Sequence, residues 1–143
     1  MKLVIGTANL GMNYGAFNKK KINKNEFRKL EKLILTSNIG FVDTAISYGE
    51  SENILGKSKL KNLKIITKIK LPKKNIDVEN WVFQNIFKSL HRLRVKSIYG
   101  LLVHDYKDLL QKKGNLYLAA LQKLKKKKNC KKNWYFNLRT TRY

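Results

Sequence analysis

Four short apolar runs, each closing on a glycine or a polar residue, limit what this chain can fold into. They are Leu3-Val4-Ile5 before Gly6, Phe41-Val42 before Asp43, Leu63-Lys64-Ile65-Ile66-Thr67 before Lys68, and Ile98-Tyr99-Gly100-Leu101-Leu102-Val103 before His104. Runs this short and this apolar suit strands buried on both faces, as in a parallel sheet covered by helices. The segments between them have helical period. Asn23 and Glu26 form a capping box ahead of Phe27, Leu30, Ile34 and Leu35 on one face. Residues 38–40 end that helix and feed the second strand. Leu71-Pro72 marks a loop. Asp77 caps a further helix, with Trp81, Val82, Ile86, Leu90 and Leu93 inward. Asp108-Leu109-Leu110 and residues 115–124 read as helix again, with Leu116, Ala119, Ala120 and Leu124 at helical spacing.

A parallel α/β sheet collects its chemistry at the C-terminal ends of its strands. Asp43, Lys68 and His104 each stand at such an end, and Tyr48 lies in the loop after Asp43. Ser51-Glu52 then opens a helix, with Ser51 as its N-cap. The first strand runs into a glycine-spaced loop, residues 6–15. It is no dinucleotide fingerprint, because no helix starts at its last glycine. Each residue has an ordinary explanation by itself. An aspartate caps turns, a lysine is common in a lysine-rich chain, and a histidine can be merely buried. His91 reads as solvent-facing and structural.

The combination is more specific. Asp43-Thr44-Ala45, Tyr48-Gly49, Ser51-Glu52 and Leu55-Gly56 resemble, in order and spacing, the signature of the aldo/keto reductase family. Thr67-Lys68, Ser89-Leu90 with Leu93, and the strand-end His104 extend the resemblance over residues 1–124. It implies a (β/α)8 barrel, NADP or NAD as cofactor, and a small carbonyl substrate. It also implies Tyr48, Lys68, Asp43 and His104 as catalytic residues, with Gly6, Thr7 and Asp43 on the cofactor side. The chemistry is coherent. Carbonyl reduction needs a hydride and a proton for the developing alkoxide. A phenol serves as that acid when a nearby ammonium stabilises its conjugate base. A carboxylate keeps the ammonium oriented, and an imidazole orients the carbonyl oxygen.

Length departs from the family. A closed barrel takes about 250 residues and at least about 200, whereas this chain has 143. The expectation is therefore an α/β fold, an incomplete (β/α)8 TIM-type barrel of about four β/α units over residues 1–124. An irregular lysine-rich tail, 125–143, follows. The family's phosphate- and adenine-binding segments have no counterpart here, which implies a truncated fragment inactive alone. Open strand edges imply self-association, including a half-barrel that pairs with a second copy.

Composition adds bounds. Lys and Arg number 32 against 9 Asp and Glu, a formal charge of +23. Such a balance can mark a nucleic-acid partner. The basic residues are spread along the chain, however, and Lys, Asn and Ile dominate as in A/T-rich coding sequence, so nucleic acid is not expected for the body. The tail from Lys123 onward is basic and free of acids, with Trp134, Tyr135 and Phe136 interleaved. That supports a second reading, a basic protein binding nucleic acid or anionic surfaces. A lone Cys130 excludes an intrachain disulfide framework and a multi-cysteine zinc site. No metal is expected. No run reaches the roughly 18 apolar residues of a membrane helix, and the N-terminus lacks a signal-peptide core. A cytoplasmic location is the expectation.

The lysine run itself carries a reading. Lys125-Lys126-Lys127-Lys128 implies an adenine tract, where a one-base slip is easy. Read one base later, allowed codons for the stretch from Asn129 spell Ile-Val-Lys-Lys-Ile-Gly-Ile-Ser-Ile-Tyr. The glycine is forced by Trp134-Tyr135 in any codon usage. That series suits a buried strand and resembles the family's fifth. Residues from about Asn129 onward are thus expected to be out of frame and without a fold of their own.

Overall fold

Five parallel strands lie side by side in chain order, β1 to β5. The structure is a computed structural model that describes residues 3–15, 20–71, 76–126 and 130–134. The strands are β1 (Val4–Gly6), β2 (Phe41–Asp43), β3 (Lys64–Ile69), β4 (Ile98–Val103) and β5 (Cys130–Trp134). The helices are α1 (Ala8–Gly11), α2 (Lys24–Thr36), α3 (Ser51–Lys57), α4 (Val78–Leu93) and α5 (Gly114–Lys126). Consecutive parallel order with intervening helices is the layout of a (β/α)8-type barrel, here an open segment of one.

Register assigns the two faces. Val4 aligns with Phe41 and Phe41 with Lys64, while Gly6 aligns with Asp43 and Asp43 with Ile66. Lys68 aligns with Leu102. The alternate residues Val42, Ile65, Thr67, Ile69, Leu101 and Val103 are buried. All but Thr67 join Val82, Ile86, Leu90 and Leu93 of α4 and Leu121 and Leu124 of α5 in one core. The core therefore lies between sheet and helices. The opposite face, where a full barrel packs its interior, is half-buried, and Val4 there is 48% exposed.

Local signals account for most boundaries. Asn23 accepts from the amides of Asn25 and Glu26, and Glu26 returns a bond to the Asn23 amide, so the capping box forms. Asp77 caps α4 through the amides of Glu79 and Asn80. His91 is exposed.

Several expectations need correction. The loop after β1 contains a helical turn, α1. Ser51 is the first residue of α3 and not its cap. Its hydroxyl donates instead to the Thr7 carbonyl at 2.5 Å. Leu35 is 42% exposed, and Ile34 takes the buried position in α2. In α5 the inward face is Tyr117, Ala120, Leu121 and Leu124, while Leu116 is exposed. The tail is not irregular throughout, because Cys130–Trp134 pairs with β4 as a fifth strand. The turn at Pro72, Lys127-Lys128 and the tail from Tyr135 lie outside the described residues. Among those described, no helix is long and apolar enough to cross a membrane. Likewise, no group of three or more His, Cys, Asp or Glu could hold a metal.

Candidate active site

The C-terminal ends of β1 to β4 form a rim that carries the sequence-derived candidates. Asp43 is the last residue of β2, and Lys68 precedes the last residue of β3. His104 follows β4 directly, its amide donating to the Ile69 carbonyl at 2.9 Å. Tyr48 sits in a turn whose amides close locally: Tyr48 donates to Ala45, and Ser51 donates to Tyr48.

Two glycines make that turn possible. Gly49 has φ +53, a left-handed conformation that side chains disfavour. Gly11 packs against the Tyr48 carbonyl and the Ser51 backbone, leaving no room for a Cβ. The loop after β1 and the Tyr48 loop are therefore in direct backbone contact. Ser51 reinforces the contact through Thr7. Thr7 in turn is buried, with both its amide and its hydroxyl donating to the Asp43 carbonyl at 3.0 Å.

All four candidate catalytic side chains converge. The Lys68 ammonium donates to Asp43 Oδ2 at 2.6 Å and to the Thr44 carbonyl at 3.0 Å. The same ammonium stands 5.0 Å from the centroid of the Tyr48 ring. The His104 ring meets Tyr48 edge-on, with centroids 6.0 Å apart and planes at 79°. Burial lowers the His104 pKa first, and the Lys70 and Lys68 charges lower it further, against Asp105 and Asp108. The net effect favours the neutral imidazole.

Two rim contacts were not visible in the sequence. Ser47 Oγ lies 3.3 Å from His104 Nδ1. Tyr14 stands beside Tyr48 with ring centroids 6.4 Å apart. No local signal marks either residue. The motif residue Glu52 also proves to be a buried carboxylate behind the rim, which the sequence did not show.

At Gly6 no atom of the described residues lies within 4 Å of where a side chain would begin. Asp43 beside it keeps 29% of its side chain exposed. The Thr7 side chain is committed to Asp43, so Gly6 and Asp43 are the members of the expected cofactor side that face open space. A groove of about 450 Å³ bordered by Leu10, Ile22, Phe27 and Ile54 lies elsewhere, between α2 and α3.

Comparison with known proteins agrees with this fold. The sequence profile described as the Aldo/keto reductase family matches residues 2–131. Among solved structures, a Pseudomonas aeruginosa protein described as an aldo-keto reductase superposes with a TM-score of 0.73 at 22% identity. The match covers 92% of this chain and 54% of that one. An aldo-keto reductase of Bacillus halodurans in its holo form gives 0.69 at 18% identity, over 94% and 45% of the two chains. The glycerol dehydrogenase of Gluconobacter oxydans gives 0.66 at 22%, over 92% and 43%. The chain thus spans about half the length of these structures. No curated protein matches it. By its sequence and by the fold around its rim, the chain belongs to the aldo/keto reductase family.

Proposed function

We propose that the rim performs NAD(P)H-dependent reduction of a small carbonyl compound, with Tyr48 as proton donor. One observation carries the reading: the Lys68 ammonium is held by Asp43 at 2.6 Å directly over the Tyr48 ring. Lys68 is placed to stabilise negative charge as the phenol gives up its proton. Asp43 and the Thr44 carbonyl fix the ammonium in that position. His104, neutral, orients the carbonyl oxygen toward Tyr48 by hydrogen bonding. A nicotinamide cofactor, when bound, supplies the hydride. Gly6 and Asp43 would border it, with Thr7 holding Asp43 from behind.

We further propose that residues 1–124 are the N-terminal half of the barrel and that the reading frame slips near the lysine run. The family match stops at residue 131, inside β5. The strand slot at Cys130–Trp134 is where the frame one base later spells an apolar strand. The charge and aromatic content of the tail would then be accidental.

Sequencing the locus tests the frame: the alternative frame should continue into further β/α units, and an early stop codon would exclude it. The frame-restored protein should oxidise NADPH in the presence of small aldehydes or ketones. Tyr48→Phe in that protein should cut turnover by about 10²–10⁴-fold, the usual contribution of a positioned acid. Undiminished turnover would refute the assignment of Tyr48. The 143-residue chain alone should show no tight NADPH binding by calorimetry; micromolar affinity would show that the described half suffices.

A further inference from the structure

Glu52 is 1% exposed and takes no part in the chemistry proposed above. Burying a carboxylate is costly unless its oxygens are fully hydrogen-bonded. Here they are. Oε1 accepts from Thr67 Oγ1 at 2.9 Å and from Ser89 Oγ at 2.6 Å. Oε2 accepts from Arg92 Nε at 2.9 Å and Nη2 at 2.7 Å. The donors come from β3 and α4, and the acceptor from the first turn of α3.

The location of this cluster matters more than its strength. Glu52 lies one helical turn after Tyr48, on the helix that the Tyr48 turn leads into. Thr67 is the residue immediately before Lys68. Successive strand residues face opposite sides, so Thr67 points to the helices while Lys68 points to the rim. The Thr67–Glu52 bond thus ties the element carrying the proton donor to the strand carrying its ammonium. Ser89 and Arg92 hold the same carboxylate from α4, so it cannot follow either partner freely.

We infer that Glu52 is a positioning residue, whose buried carboxylate sets the distance between Tyr48 and Lys68 by pinning α3 to β3 through Thr67. This inference rests on the proposed roles of Tyr48 and Lys68. Its test needs neither cofactor nor turnover, so it is decided separately from that reading.

The Lys68 ammonium stands 5.0 Å over the Tyr48 ring, so its neighbouring Cε protons should be shifted upfield by the ring current. Isotope-labelled lysine lets that signal be followed by NMR in the 143-residue chain. Lys68→Met assigns the signal by removing it, and Tyr48→Leu gives its position without a ring. Thr67→Val keeps volume and β-branching, and it leaves Glu52 its bonds to Ser89 and Arg92. It should move the Lys68 signal most of the way to the ring-free position. Thr67→Ser, which restores the hydroxyl, should bring it back. Ser89→Ala removes the other bond to Oε1 without touching β3, and should leave the signal in place while lowering the melting temperature. An unchanged signal in Thr67→Val would overturn the inference. So would equal displacement in Thr67→Val and Ser89→Ala, which would mark Glu52 as general reinforcement only.

Discussion

The two faces of the sheet are built to different ends. The helix-facing side is dry: Val42, Ile65, Thr67, Ile69, Leu101 and Val103 are nearly inaccessible, and all but Thr67 join α4 and α5 in one core. The barrel-facing side carries Asp43, Lys68 and His104 among half-buried apolar neighbours such as Phe41, Ile66 and Leu102. Hydrophobic stabilisation scales with the apolar area removed from water. Most of the folding free energy therefore comes from the first face, and the proposed chemistry resides on the second. The division explains how a chain spanning half of its relatives' length still positions four rim residues. The backbone of each of these residues is held within the described sheet and its helices.

Neighbouring isoleucines in β3 test the comparison most severely. Ile65 is 3% exposed against the helices, and Ile66 points to the open side. Ile65→Ala should cost about 2–5 kcal/mol, the usual range for emptying a packed core position. Ile66→Ala should cost about half of that or less. Urea unfolding of the two variants measures the difference. Equal losses would mean that the barrel face is covered in solution, by a second copy or by some rearrangement of the chain.

A smaller effect is expected where the first loop meets the second. Gly11 abuts the Tyr48 carbonyl and the Ser51 amide, both backbone atoms that cannot rotate away. Gly11→Ala should therefore force the loops apart at a cost of about 1–3 kcal/mol, typical of overpacking. The ring contact between Tyr14 and Tyr48 should weaken with it. Gly6→Ala, on the open side of the same strand-loop unit, meets nothing among the described residues within 4 Å and should melt like the parent chain. Thermal melts of both variants separate the crowded glycine from the uncrowded one. A neutral Gly11→Ala would show that the loops are not rigidly joined.

Much of this division is legible in the sequence, and the failures have physical causes. Strand ends and caps are local, so Asp43, Lys68 and His104, and the Asn23 and Asp77 caps, were placed correctly. Helix phase is harder where apolar residues crowd every side. Residues 116–121 of α5 are all apolar, so periodicity does not distinguish a face with Tyr117 from one with Leu116. Tyr117 wins because its buried hydroxyl reaches the Ile69 carbonyl at 2.6 Å. Ser51 looked like a cap because nothing in its neighbourhood shows that the Thr7 carbonyl competes for its hydroxyl. The partners of Glu52 are Thr67, Ser89 and Arg92, all distant in sequence. A first-turn glutamate looks the same whether it faces water or the core. The fifth strand was hidden for a different reason: Cys-Lys-Lys-Asn-Trp has neither the alternation nor the apolar run of a strand, and only pairing with β4 reveals it.

The smallest expected effect lies on His104, at the rim of the barrel-facing side. Its imidazole is partly withdrawn from water, and the Lys70 and Lys68 ammonium groups oppose a further positive charge. Asp105 and Asp108 favour that charge, but they act more weakly than burial and the lysines. The His104 ring protons should therefore titrate, by NMR, with a midpoint below the ordinary 6.5. Lys70→Met should raise the midpoint part of the way back, since burial, the largest cause, remains. The sign for stability follows. Between the two midpoints the unfolded chain binds more protons at this site than the native chain, so stability rises with pH there. The contribution is complete above the unfolded value and is lost as pH falls through that value toward the native one. Neutral imidazole carries one N–H, and Ser47 Oγ at 3.3 Å occupies the Nδ1 side. The role proposed for His104 would then fall to its other nitrogen. A midpoint at or above 6.5 would mean that water reaches His104 freely. The rim would then be as open as the rest of the barrel face.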